Sequence, residues 1–139
     1  MKKDFVPHEE ALQLDELGFD EECFAEVMGF GDGTVEDGKY VIQHEYRLYP
    51  NDLNSIEDLI EELELDPFHI CGIPTFSQAF RWFREKHKLH SGIYPYYDEY
   101  EYQIKNFNSG NNTPINGGLM KYEEAELACL IKLIEIVKK

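Results

Sequence analysis

The residues that could do chemistry are few and widely spaced. His87-Lys88-Leu89-His90 has the H-x2-H spacing of a metal-binding pair. A zinc site needs two further ligands, and the nearest candidates, His69 and Cys71, sit at an unrelated spacing. Histidines exposed at a helix end are the simpler reading, because cations are favoured there. The stretch from Asp32-Gly33-Thr34 to Asp37-Gly38 has the glycines and acids of a calcium loop. It lacks the alternating acids and the closing glutamate twelve positions along, so it reads as a turn. A thiol nucleophile would need Cys23, Cys71 or Cys129 beside a histidine. Cys23 and Cys129 lie in apolar segments and read as small hydrophobes. Cys71, close to His69, is the one worth testing. Gly29-Phe30-Gly31-Asp32-Gly33 leads into a strand rather than a helix N-terminus, so it cannot cradle a phosphate. No catalytic residue, metal ligand or cofactor is assigned, and the chain reads as a non-enzyme.

Charge is the more informative feature. Residues 1–70 hold 20 acids against four cations, a net −16, whereas residues 71–139 hold nine cations against eight acids, a net +1. A field that lopsided concerns partners and solubility. The basic stretch Arg81, Arg84, Lys86, Lys88, with His87 and His90 and nearby aromatics, could touch nucleic-acid phosphates. A total charge of −15 repels a polyanion, so direct nucleic-acid binding is disfavoured and the stretch reads as docking the acidic half or facing solvent. Tyr94, Tyr96, Tyr97, Tyr100 and Tyr102 form a cluster. Some of these must be exposed, and tyrosine is a favoured interface anchor.

The elements that position these residues give an α+β chain with a single globular domain over 1–139. About four helices pack on short antiparallel strands and hairpins. The first helix spans about Pro7 to Leu17, on an Ala11, Leu14, Leu17 stripe, with Gly18 as its stop and Phe19 folding back toward Leu14. Glu22 to Met28 reads as a strand, Gly29 to Gly38 as turn or loop, and Lys39 to Tyr46 as the partner strand of a loose hairpin. Tyr49 to Asp52 is a turn. Ser55 opens the second helix with a variant capping box, and Ile56, Leu59, Ile60 and Leu63 form its stripe. Glu57, Asp58, Glu61, Glu62 and Glu64 line its other face, acids near the last turn oppose the dipole, and Asp66-Pro67 ends it.

Thr75-Phe76-Ser77-Gln78 caps a third helix reaching about Leu89, with Phe76, Ala79, Phe80 and Phe83 on one face and Trp82 at its edge. Tyr94 to Tyr97 is extended or an edge strand, given Pro95. Tyr100, Tyr102 and Ile104 alternate with Glu101, Gln103 and Lys105 as a half-buried strand that fails at Asn106. Turns follow at Asn108–Asn112 and Gly117-Gly118. The fourth helix, about Tyr122 to Val137, is apolar round much of its circumference through Ala125, Ala128, Cys129, Ile131, Leu133, Ile134 and Val137.

Three cysteines without a CxxC, no apolar region behind Lys2-Lys3 and no run of ~18 apolar residues point to reduced thiols, no membrane span and the cytoplasm.

Three segments also resemble a known group: Phe5 to Phe24; Pro74 to Lys86, with its FRWFREK string; and Tyr122 to Val137, with its YEEAELACL string. The group comprises short uncharacterised proteins of gut Bacteroidetes and their phages or mobile elements. The resemblance covers about half the chain and implies a cytoplasmic, phage-type accessory protein. It implies no activity, cofactor or site residue. The chain departs from the group at Lys121, where members usually carry a threonine, and over about residues 29–66. The matched residues are mostly helix faces, so they define a fold rather than a site.

The expected function is a small acidic adaptor or inhibitor that binds an unidentified protein partner. Its contact surfaces are Glu57, Asp58, Glu61, Glu62 and Glu64 together with Tyr94, Tyr96 and Tyr97. The alternative is a DNA mimic whose carboxylates occupy the basic groove of a nucleic-acid-binding protein. A tyrosine-rich edge also permits a symmetric homodimer.

Overall fold

A computed structural model describes residues 2–50, 56–110 and 121–138. It is α+β, with four α-helices and three small antiparallel sheets among the described residues. After a 3-10 turn at Lys2–Asp4, α1 spans His8–Glu16. Pro7 sits at its N-cap and its carbonyl accepts from the Ala11 amide at 2.9 Å. The helix stops as its sequence implies. Gly18 takes φ +101°, the Phe19 amide donates to the Leu14 carbonyl and the Gly18 amide to the Asp15 carbonyl, both at 3.0 Å. That is a Schellman closure, which satisfies carbonyls the helix end would otherwise orphan.

The three-stranded sheet has β1, Ala25–Gly31, between β4, His44–Leu48, and β5, Asp66–Ile73. β1 runs three residues beyond the Met28 limit its sequence suggests, through two glycines that read as turn residues. Their role is steric. A β-carbon on Gly29 would stand 2.6 Å from the Phe68 ring, and one on Gly31 would collide with the Val41 carbonyl. A central strand with both faces covered accepts glycine where another group must come close.

The expected Lys39–Tyr46 strand is two pieces. Lys39–Tyr40 (β3) pairs with Val35–Glu36 (β2) around Asp37-Gly38, both at positive φ as a tight hairpin turn requires. The other piece is β4, which pairs with β1, Met28 opposite Tyr46 and Glu26 opposite Leu48.

β5 is an element the sequence does not signal: Asp66-Pro67 reads as the end of the second helix, and the residues from 68 to 73 carry no assigned element. Its register on β1 slips between Val27 and Met28: Cys71 faces Val27, His69 faces Met28, and Ile70 is the extra residue. The bulge puts Phe68, Ile70, Cys71 and Ile73 on one face despite mixed parity, which hides the period of two. Pro67 is tolerated because β5 is an edge strand.

Helix α2 spans Ile56–Leu63, with Glu64 following at φ +54°. The Ser55 cap and the turns at Asn51-Asp52, Asn111-Asn112 and Gly117-Gly118 lie outside the described residues. Helix α3, Phe76–His87, is capped as expected, the Thr75 hydroxyl accepting from the Gln78 amide at 3.1 Å. It ends earlier than the sequence suggests because Lys88 turns left-handed, φ +57°, and delivers Leu89 to a strand and to the core. That strand, β6, is Leu89–Tyr96, longer than the expected Tyr94–Tyr97. It pairs with β7, Glu99–Asn106, through a Tyr97-Asp98 turn. Helix α4 spans Tyr122–Lys138; Ile131, assigned to its apolar circumference, is 41% exposed.

The two faces of the β4-β1-β5 sheet meet different cores. Ala25, Val27, Cys71 and Ile73 join the main core with Leu14, Trp82, Phe83, Leu89, Tyr102, Ile104, Cys129 and Leu133. Trp82 is central rather than peripheral, 5.5 Å from Phe19 and 5.0 Å from Phe83 between ring centroids. Met28, Phe30 and Leu48 face the other way and are covered by Ile60 and Leu63 of α2 with Tyr46 and Leu65. Helix α2 and the β6–β7 hairpin therefore lie on opposite sides of the sheet.

Candidate interaction surfaces

The five acids of the second helix fall where the sequence places them. Glu57, Asp58, Glu61, Glu62 and Glu64 are all exposed. None enters an ion pair among the described residues. Glu57 with Glu61, and Asp58 with Glu62, are like-charged at i,i+4, each pair costing ~0.2–0.5 kcal/mol. The helix has no cation in its last turn to meet its dipole. Ile60 and Leu63, packed on Phe30 and Leu48, hold it in place despite that repulsion.

The tyrosines divide by register. Tyr102 is buried and Tyr100 is half-buried, its ring centroid 5.2 Å from that of Tyr122, edge to face. Tyr94 and Tyr96 are each 49% exposed, and Tyr97 at the turn is 91% exposed. Tyr94 faces Glu101 and Tyr96 faces Glu99 across the hairpin, on its outer side. The tyrosines and the acidic helix are separate surfaces.

Part of the basic stretch docks on the acidic half. The Arg81 guanidinium pairs with the Glu21 carboxylate at 3.2 Å, and the Gln78 amide nitrogen donates to the Glu22 carbonyl at 2.7 Å. Arg84, Lys86 and Lys88 face solvent.

The cysteines carry no activated thiol. Cys71 is buried, and burial followed by the nearby Asp15 charge pushes its thiol up to about 12. Burial alone is the main cause for Cys129, also raised to about 12, and for Cys23, raised to about 11. A nucleophilic thiol needs a shift in the opposite direction. His69 turns instead to Glu26, its Nε2 3.5 Å from the carboxylate. His87 packs edge-on against Trp82, and burial lowers its pKa, whereas His90 stacks on Phe107 with centroids 4.1 Å apart. The two histidines thus turn to different neighbours. Asp32 of the glycine-rich loop accepts hydrogen bonds from the Thr34 hydroxyl and amide, which hold its carboxyl below the ordinary range.

One acidic feature escapes a reading by segments. Asp15, Asp20, Glu21, Glu22 and Glu26 converge with Cys23 and His69 around an open cavity of about 400 Å³. Asp20, Glu21 and Glu22 are contiguous in sequence, but the cavity is closed by Asp15 of α1 and by His69, Ile70 and Gly72 of β5, a strand the sequence does not signal.

No family model matches this chain, nor does any curated protein or solved structure. No helix among the described residues is long and apolar enough to cross a membrane.

Proposed function

We propose that this chain is a small non-enzymatic interaction protein of phage or mobile-element type, acting in the cytoplasm as an adaptor or inhibitor. The acidic face of α2 takes a basic protein partner, and the exposed tyrosines provide a second contact surface. The observation that carries this reading is the outward face of α2. With Glu64 just after it, the helix presents five exposed carboxylates, without an ion pair among the described residues, and is held by a small apolar anchor. Such a face meets a basic surface at low desolvation cost and speeds encounter electrostatically. The buried, protonated thiol of Cys71 supports the non-enzymatic reading.

A second reading is a DNA mimic. Carboxylates gathered on two separate regions, α2 and the cavity around Glu21 and Glu26, favour it. A mimic should hold many basic proteins and release them steeply with salt.

The test is a tagged pull-down at ~50 and ~300 mM salt. One partner surviving both conditions supports a specific adaptor or inhibitor. Nucleic-acid-handling proteins lost at the higher salt support the mimic. An empty pull-down at both counts against the two readings together.

A further inference from the structure

We infer that the outer face of the β6–β7 hairpin docks on the same face of a second copy, across a two-fold axis. The inner face of the hairpin is used within the chain: Leu89, Tyr102 and Ile104 are core residues, and Ser91 hydrogen-bonds the Cys129 thiol of α4. By register, the outer face presents His90, Gly92, Tyr94 and Tyr96 on β6 against Lys105, Gln103, Glu101 and Glu99 on β7.

Along β6 and at Phe107 this outer face carries an aromatic row, beside the polar and charged side chains of β7. Phe107, 62% exposed, lies stacked on His90. Tyr94 lies flat along the strand, its hydroxyl 2.6 Å from where a β-carbon of Gly92 would be. Tyr96 and Tyr97 meet edge to face at 4.9 Å. The row extends roughly 20 Å from His90 to Tyr96 at ~3.4 Å per residue.

Charge along the face selects a second copy as occupant. Lys105 marks the base of the hairpin, with Lys88 just before it; Glu101, Glu99 and Asp98 mark the tip. A two-fold axis through the middle of the face sets each base on the opposite tip, Lys105 of one copy over Glu99 and Glu101 of the other. This is the self-complementarity an isologous contact requires. Repulsion is also least here. Residues 71–139 carry a net +1, and the acidic α2 lies on the far side of the sheet. Charges more than ~8–10 Å apart across solvent are largely screened at ordinary salt. Two strands make a narrow patch, well under the ~800 Å² per partner of a standard interface, so the dimer should be weak, with a Kd on the order of 10 μM.

The inference refines the interaction reading at Tyr94, Tyr96 and Tyr97 and leaves the α2 face aside. Sedimentation velocity from ~5 to ~500 μM, a range bracketing the expected Kd, should show the mass rising from 16.3 kDa toward twice that value. The doubly substituted Tyr94→Ser, Tyr96→Ser chain, altered only at exposed positions, should dissociate about 10-fold more readily, ordinary for central aromatic contacts. Lys105→Glu should weaken the dimer, and adding Glu101→Lys in the same chain should restore it. The two positions are four residues apart on one strand, ~13 Å, so the rescue has to act between copies. A monomer at every concentration, a dimer indifferent to these substitutions, or a charge reversal without rescue would each overturn the proposal. A monomer that still captures a basic partner removes the dimer alone, whereas a dimer that captures nothing removes the partner reading alone.

Discussion

On one face of the β4-β1-β5 sheet, α1, α3, α4 and the hairpin close a core that includes fully buried Leu14, Phe83, Ile104, Leu130 and Leu133. On the other face, Met28, Phe30 and Leu48 are covered by one two-turn helix whose outward side is acidic. Burial at ~25 cal/mol per Å² makes the first face the source of most of the stability. The second is held by few apolar contacts and works against like-charge repulsion, so it belongs to the low-stability end of the molecule. The division fits the proposed role of the acidic helix. The thick face is a scaffold that tolerates little change, whereas the thin face can carry a costly charge pattern because little else depends on it.

The largest test of that contrast pairs two deletions. Phe83→Ala should cost ~3–5 kcal/mol, the usual range for emptying a packed aromatic site, and depress the melting temperature of the whole chain. Phe30 is equally inaccessible, yet Phe30→Ala should act locally. Hydrogen exchange should show the amides of 56–63 losing protection while those of α3 and α4 keep theirs. Joint loss across all elements would erase the distinction between the faces.

A smaller effect is expected at the helix ends. Glu64 and Lys88 both follow a helix in left-handed conformation, φ +54° and +57°. Glycine relieves the backbone at either, but Glu64 also opposes its helix dipole whereas Lys88 suits its own. Glu64→Gly should therefore stabilise by ~1 kcal/mol and Lys88→Gly by less, read from denaturant midpoints. Equal gains would show that the acid carries no electrostatic cost.

The smallest effect lies on the thick face. Glu10 is buried, and burial, then the charge of Glu9, raises its carboxyl above 4.5. Burial, then Glu123, raises Glu126 likewise. A raised folded value means the fold holds the proton more tightly than the unfolded chain. That contribution is complete below about 4.5 and is lost as pH rises through the folded value. Glu10→Gln should thus raise the melting temperature slightly at pH 7, with the gain fading as pH falls below 4.5. A gain unchanged below pH 4.5 would assign it to packing instead.

Much of this division was legible. Pro7, Gly18 and Thr75 announce helix ends that the chain obeys, and the acids at 57, 58, 61, 62 and 64 announce their exposure. The losses have definite causes. The bulge at Ile70 scrambled the alternation of β5; Gly29 and Gly31 read as turn residues when Phe68 and Val41 need their space; Lys88 cut short a helix that Leu89 would have continued. Which tyrosines face outward depends on the register of a hairpin whose first strand was only partly visible.

The acidic face of α2 is the proposed working surface. Its most direct test is a side-by-side capture with the wild-type chain and one carrying Glu57→Gln, Asp58→Asn, Glu61→Gln, Glu62→Gln and Glu64→Gln, circular dichroism first establishing that both are equally folded. A basic protein should be enriched by the wild type and lost from the neutralised chain at ~50 mM salt, where surface charge is weakly screened. The same proteins bound in equal amounts by both would contradict it.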